Sequence, residues 1–317
     1  MTPPLDNAPF APLAPGKFQD PDVTLKGERR ATVAFNGLST LWVNTGTLCN
    51  ITCANCYIES SPRNDALIYF GAADLRRFLD EAAARGEPLR EVGFTGGEPF
   101  MNRDLPAMLE DVLARGMDAL VLTNAMKPMR QNEAALLALL ARHGRRLTIR
   151  VSLDHFAADL HDAERGAGSF DIAMDGLRWL ARHGFHLHVA GRAAFGDGHA
   201  REGFRALFEA HDIPIDADDP VELMLFPEMD ARIDVPEITT ACWGILDKSP
   251  DSMMCAGARM LVHRRGAARP AVLACTLIPY DERFELGATL AEAARPVALN
   301  HPHCAKFCVL GGASCSR

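Results

Sequence analysis

The chain reads as an α/β protein built on a parallel sheet, curled or open, with helices outside. Three observations predict it: six short strand-like runs, helical periodicities between them, and unusual residues at the carboxyl ends of the runs. The runs are Leu41 to Thr45, Glu91 to Thr95, Ala119 to Thr123, Leu147 to Ser152, His186 to Gly191 and Val221 to Phe226. Leu75, Phe78, Leu79 and Ala82 repeat at helical spacing and stop near Gly86; Leu105, Met108, Leu109, Val112 and Leu113 do the same before Gly116. A third helix runs from about Asn132 to His143 and stops at Gly144, and a fourth opens on Ser169 as N-cap and closes at Gly184.

Size and charge bound the rest. With 317 residues and 48% hydrophobic composition the chain can bury a large core, in one domain or two. A net charge of -8 with scattered Lys and Arg argues against nucleic acid as a partner. No stretch approaches a membrane span, and the N-terminus lacks the basic and apolar regions of a secretory signal. Nine cysteines without such a signal point to metal binding in a reducing, cytoplasmic compartment. Residues 1–30, rich in Pro and charge, read as an extended arm; 31–235 carry the strand and helix cadence; 236–317 form a cysteine-rich extension.

Cys49, Cys53 and Cys56 lie in T-L-C-N-I-T-C-A-N-C-Y, directly after the first strand. Three thiolates on one loop can hold three irons of a 4Fe-4S cubane and leave the fourth open to chemistry. The alternative is a zinc knuckle, which usually pairs Cys-x2-Cys with a second such pair and closes at four ligands. T-G-G-E-P (Thr95 to Pro99) follows the second strand, Thr123-Asn124 ends the third and S-L-D (Ser152 to Asp154) ends the fourth. Working residues of parallel α/β folds sit at these edges. Gly96 and Gly97 allow close backbone approach and positive φ, and the Glu98 carboxylate can accept from an ammonium group. Arg165 can pair with a carboxylate through its planar fork.

Cys-x3-Cys-x2-Cys with Asn50 and Tyr57, joined by the G-G-E-P run, resembles the signature of the radical S-adenosylmethionine (radical SAM) superfamily. The resemblance implies a partial (β/α)6 TIM-like barrel. It implies that Cys49, Cys53 and Cys56 bind a 4Fe-4S cluster whose fourth iron chelates S-adenosylmethionine, and that an electron, supplied by a donor such as flavodoxin or ferredoxin, yields a 5'-deoxyadenosyl radical. Gly96, Gly97 and Glu98 would then hold the methionine amino group, and Ser152 would contact the ribose or carboxylate. Asp154 and Arg165 would organise the same wall, near Asn124. Arg192, ending the fifth strand, is a candidate for the cofactor carboxylate. The residue before the third cysteine, often aromatic in the family, is Asn55 here; Tyr57 would cover the cluster instead.

Six cysteines remain: Cys242, Cys255, Cys275, Cys304, Cys308 and Cys315. Cys255 and Cys275 flank two strand-like stretches joined at Arg264 to Arg269, so a hairpin would bring them together. With the tail cysteines they resemble the SPASM and twitch extensions, which implies an auxiliary 4Fe-4S cluster on Cys255, Cys275 and two of Cys304, Cys308 and Cys315. A structural zinc site is the alternative. Cys242 is spare; His186 and His188 read as packed side chains, and His301 and His303 as surface residues. Glu59, Asp154, Glu222, Glu228 and Asp230 are equivalent candidates for a general acid or base. The expected substrate is a small molecule, with a ribosomal-peptide maturase as the second reading and a non-catalytic zinc protein as the third.

Overall fold

A computed structural model of the chain describes residues 11–193, 198–227 and 229–311. Its main element is a nine-stranded sheet. The six predicted strands are β1 (Thr40–Asn44), β2 (Glu91–Thr95), β3 (Asp118–Thr123), β4 (Leu147–Ser152), β5 (His186–Arg192) and β6 (Leu223–Phe226). All pair in parallel, in chain order. β1 is buried along its whole length, as expected of a strand covered on both faces.

The sheet is curled. Trp42 of β1, Leu122 of β3, Arg150 of β4, Arg192 of β5 and Phe226 of β6 line one cavity, whereas in a flat sheet β1 and β6 would lie about 24 Å apart. Gly93 of β2 makes room for this inward face: a Cβ there would stand 2.5 Å from the Trp42 ring. The β/α core is thus a partial, TIM-like barrel.

Helices α1 (Ala72–Ala84), α2 (Leu105–Ala114), α3 (Glu133–His143) and α5 (Ser169–Arg182) match the predicted periodicities, and α1 buries Leu75, Phe78, Leu79 and Ala82. Ser169 is not the N-cap of α5. Gly168 precedes the helix at φ +76°, and the Asp162 carboxylate accepts from Gly168 N (2.6 Å), Phe170 N (2.8 Å) and Ser169 Oγ (3.1 Å). A carboxylate from the preceding helix, α4 (Ala158–Arg165), therefore does the capping. α6 (Ala200–Ala210) packs through Phe204 and Phe208.

The extension continues the sheet. Its predicted hairpin is β7 (Ala258–Val262) and β8 (Ala271–Leu273), antiparallel to one another. β7 also pairs in parallel with β1, and β9 (Glu285–Gly287) follows β8, giving the order β9-β8-β7-β1-β2-β3-β4-β5-β6. The N-terminal arm lies against residues 232–239, fastened by Lys17–Asp234 (2.7 Å) and by the buried Arg30–Glu237 pair (2.5 Å). Among the described residues no helix is long and apolar enough to cross a membrane.

Candidate functional site

Cys49, Cys53 and Cys56 leave the end of β1 on a loop that lines the barrel cavity. The loop is pressed against the end of β2, where Gly97 N donates to Gly46 O (2.8 Å) and Glu98 N to Leu48 O (3.1 Å). A Cβ on Gly97 would stand 2.1 Å from Leu48 O, and one on Gly96, at φ +133°, 2.5 Å from Gly46 O. The double glycine is thus required by the cysteine loop itself.

Glu98 lies behind the cavity wall, not on it. It is 2% exposed and absent from the cavity lining. Its Oε1 accepts from Phe100 N (3.1 Å) and Thr123 Oγ1 (2.9 Å), and its Oε2 from Asn124 N (2.9 Å). Burial pushes this carboxyl up to about 7, against the pull of those donors. The carboxylate faces the end of β3 and takes its hydrogen bonds there. Asn124 then reaches the loop: its Nδ2 donates to Asn50 Oδ1 (2.9 Å) and lies 3.9 Å from Cys49 Sγ. Sequence to site, this is one relay from β2 through β3 to the first thiol.

The opposite wall carries paired charges. Arg165 donates to both oxygens of Asp154, at 2.8 and 2.9 Å. Burial works against the Arg165 charge, but Asp154 and the thiols of Cys53 and Cys56 hold its pKa above the ordinary value. Arg192 pairs with Glu164 at 2.6 Å, and Asn55 Nδ2 donates to the same carboxylate at 2.9 and 3.1 Å. Glu164 also accepts at its backbone from Ala54 N (2.8 Å). It lines the cavity and was not among the expected site residues; α4, whose only buried residue is His161, has too short an apolar stripe to be legible.

Of the expected cofactor residues, Tyr57, Gly96, Gly97, Asn124, Ser152, Asp154, Arg165 and Arg192 line this cavity, and Glu98 does not. Of the candidate acids and bases, Asp154 does, Glu59, Glu222 and Asp230 do not, and Glu228 lies outside the described residues. The lining fits a ligand. Trp42 Nε1 and Ser60 Oγ are buried on it without a protein hydrogen-bond partner, a cost that a bound acceptor or donor removes. Burial, above all, pushes the Cys49 thiol up to about 12 and raises Cys53, so a metal bound there would have to displace these protons.

A second, small and apolar cavity is ringed by Cys255, Cys275, Cys304 and Cys308, with Met254, Leu277 and His303. Cys304 and Cys308 lie on a π-helical tail segment, Cys304–Leu310; Cys315 lies outside the described residues. Cys242 lines neither cavity and accepts from Thr239 N at 3.4 Å. His188 is packed, as expected, but His303 is not a surface residue: it is 7% exposed, wedged between two carbonyl groups. Burial pushes Cys255 up to about 11 and Cys304 to about 12. Among the described residues no three His, Cys, Asp or Glu side chains gather on the position of a single metal ion. The four thiols surround a space.

The class follows from this geometry and from sequence together. Residues 43–210, more than half of the chain, match the Radical SAM superfamily, and the chain belongs to it. The family uses a 4Fe-4S cluster and S-adenosylmethionine. Among individual proteins, the chain is 31% identical over 143 residues to the antilisterial bacteriocin subtilosin biosynthesis protein AlbA of Bacillus subtilis (strain 168), a stretch covering 45% of this chain and 30% of AlbA. It is 31% identical over 143 residues to the Fe-coproporphyrin III synthase of Methanosarcina barkeri (strain Fusaro / DSM 804), covering 44% and 33%. The matched stretch thus spans about a third of each curated relative. In fold it resembles Streptococcus suis SuiB bound to S-adenosylmethionine, with a TM-score of 0.59 at 14% identity, over 80% of this chain and 63% of SuiB.

Proposed function

We propose that the chain is a radical SAM oxidoreductase or carbon-bond-forming enzyme whose cluster is held by Cys49, Cys53 and Cys56. The observation that carries this reading is that the three-cysteine loop, the Gly96-Gly97 edge and the Asp154–Arg165 wall surround one cavity. Bound there, the cluster and S-adenosylmethionine would supply the means to abstract a hydrogen atom from the substrate. The chain positions and shields. Gly96 and Gly97 offer backbone to the methionine end, Asn124 and Ser152 offer hydrogen bonds, and Tyr57 covers the loop. Arg165, beside Cys53 and Cys56, offsets the charge of the thiolates.

Cys255, Cys275, Cys304 and Cys308 hold an auxiliary 4Fe-4S cluster in a SPASM/twitch-like unit, residues 236–317. Four thiols around one space support a metal centre closed by thiolates, read here as a polynuclear cluster. If bound there, such a cluster would supply an electron acceptor within the protein, the chemistry needed for a net oxidation in which the substrate gives up a hydrogen atom, an electron and a proton. A flavodoxin or ferredoxin in a reducing cytoplasm is the matching electron source.

The substrate is a small molecule seated against Leu122, Ala190, Phe226 and Leu277. A peptide is the second reading, favoured by the likeness to AlbA and to SuiB bound to its precursor peptide SuiA. The deciding experiment is anaerobic reconstitution, iron and sulfide counting, and assay of the dithionite-reduced protein with metabolites and peptides for 5'-deoxyadenosine released in proportion to product. Stoichiometric zinc without iron, or no 5'-deoxyadenosine above background, overturns the reading.

A further inference from the structure

The second thiol site is built into the wall of the first cavity. Leu277 lines both cavities, and its backbone N–H donates to Cys275 Sγ at 3.4 Å. The tail segment does more than supply thiols. His303, one residue before Cys304, places Nδ1 3.2 Å from Leu277 O and Nε2 2.9 Å from Met229 O. Lys306 Nζ donates to Asp230 O at 3.2 Å. Phe307, fully buried between Cys304 and Cys308, stacks on Phe226 with centroids 5.4 Å apart and ring planes at 17°.

Phe226, Met229 and Leu277 are all lining residues of the first cavity. Phe226 ends β6, the last strand of the sheet, which pairs on one side only. Segments held by few ladder bonds open at low free energy unless something packs on them. Here the tail is what packs on them.

Resting on the cluster reading of the second site, we infer that this site is a strut. Loading at Cys255, Cys275, Cys304 and Cys308 fixes the tail segment, and His303 and Phe307 carry that order to the substrate side of the first cavity. Ligation joins the Cys255 segment, the β8 end and the tail into one unit, so binding free energy becomes local folding free energy. His303 is a positioning residue. It lines the second cavity beside the thiols, away from the S-adenosylmethionine side of the barrel, and its ring stands between Met229 O and Leu277 O, one of which takes its N–H.

Hydrogen exchange of the anaerobically reconstituted full-length protein tests this without a substrate. Four proteins are compared: wild type, the Cys304→Ala/Cys308→Ala double variant, His303→Ala, and His303→Asn, which keeps a single donor nitrogen. Wild type should carry about eight irons and the double variant about four, with amides of residues 223–230 exchanging about tenfold faster in the double variant. His303→Ala should keep the iron of wild type and still exchange faster in 223–230, His303→Asn should recover part of the protection, and β2 should be unchanged throughout.

Wild-type protection in His303→Ala overturns the strut, as does iron loss in the double variant with 223–230 unmoved. Equally faster exchange in β2 also overturns it, since the effect is then general destabilisation. Only about four irons in wild type removes the cluster from the second site, and the inference falls with that reading. The first site remains separately testable by its 5'-deoxyadenosine.

Discussion

The two cysteine sites put similar thiols into opposite surroundings: three on a loop facing a cavity lined with Asp154, Glu164, Arg165 and Arg192, and four around a small cavity lined by Met, Leu, Ile and Phe side chains. Around the first, charges are paired and hydrogen bonds relay from strand to strand, while two buried polar atoms remain for a ligand. Around the second, apolar packing and backbone hydrogen bonds suit a group that is held and not exchanged. Ligand number alone is a poor guide to which site reacts. On the reading proposed above, the polarity of the surrounding wall would divide the labour.

This contrast breaks most decisively through the thiols. Replacing Cys49, Cys53 and Cys56 together by Ala should reduce reductive cleavage of S-adenosylmethionine to background, with circular dichroism unchanged, whereas Cys304→Ala/Cys308→Ala should leave substrate-free cleavage measurable. If the C-terminal variant is equally dead in a 5'-deoxyadenosine assay, the two sites are not functionally distinct.

Next in size is the packing beneath the first site. Gly97→Ala forces a methyl into Leu48 O and should cost about 3 kcal/mol or prevent folding, read as a fall in urea midpoint. Glu98→Ala leaves Thr123 Oγ1 and the Phe100 and Asn124 amides without their acceptor and should cost about 2 kcal/mol. It should lower cluster loading along with cofactor affinity, because it loosens Asn124 against the cysteine loop. Full iron content in this variant would show that the relay is idle.

Smaller is the pH dependence of the wall. Burial first, then the neighbouring Arg165, pushes His161 down to about 4, and its Nδ1 accepts from Asp154 N at 3.2 Å. A depressed histidine contributes stability that is complete above its unfolded pKa, near 6.5, and is lost as pH falls toward about 4. The loss should approach about 3 kcal/mol, and His161→Asn should flatten that slope in urea midpoints. The least effect is expected of Trp42→Phe. It removes an indole N–H that has no acceptor in the protein and should change stability by less than about 1 kcal/mol, while weakening any ligand that supplies one.

Strands and helices with strong periodicity were legible because each is one face of a large core, and the cysteines because their spacing has little other use. Glu164 was not, since its helix buries a histidine instead of an apolar stripe. Glu98 was placed on the right edge, but its protein partners were not legible: the sequence cannot tell whether a carboxylate beside two glycines turns toward the cavity or toward the next strand. Ser169 failed as a cap because Asp162, seven residues earlier, reaches the same amides. The tail histidine was misjudged for a similar reason. Its partners, Leu277 and Met229, are far away along the chain.

Seating β7 beside β1 has a temporal meaning. During synthesis the second edge of the strand that leads into the cysteine loop stays bare until some 220 further residues, as far as Val262, have left the ribosome. Closure of that edge, and of the Tyr280 hydroxyl onto Ile58 O at 2.6 Å, waits for segments far downstream of β1. A chain that stops short of β7 therefore leaves β1 paired with β2 alone, with its other apolar edge open.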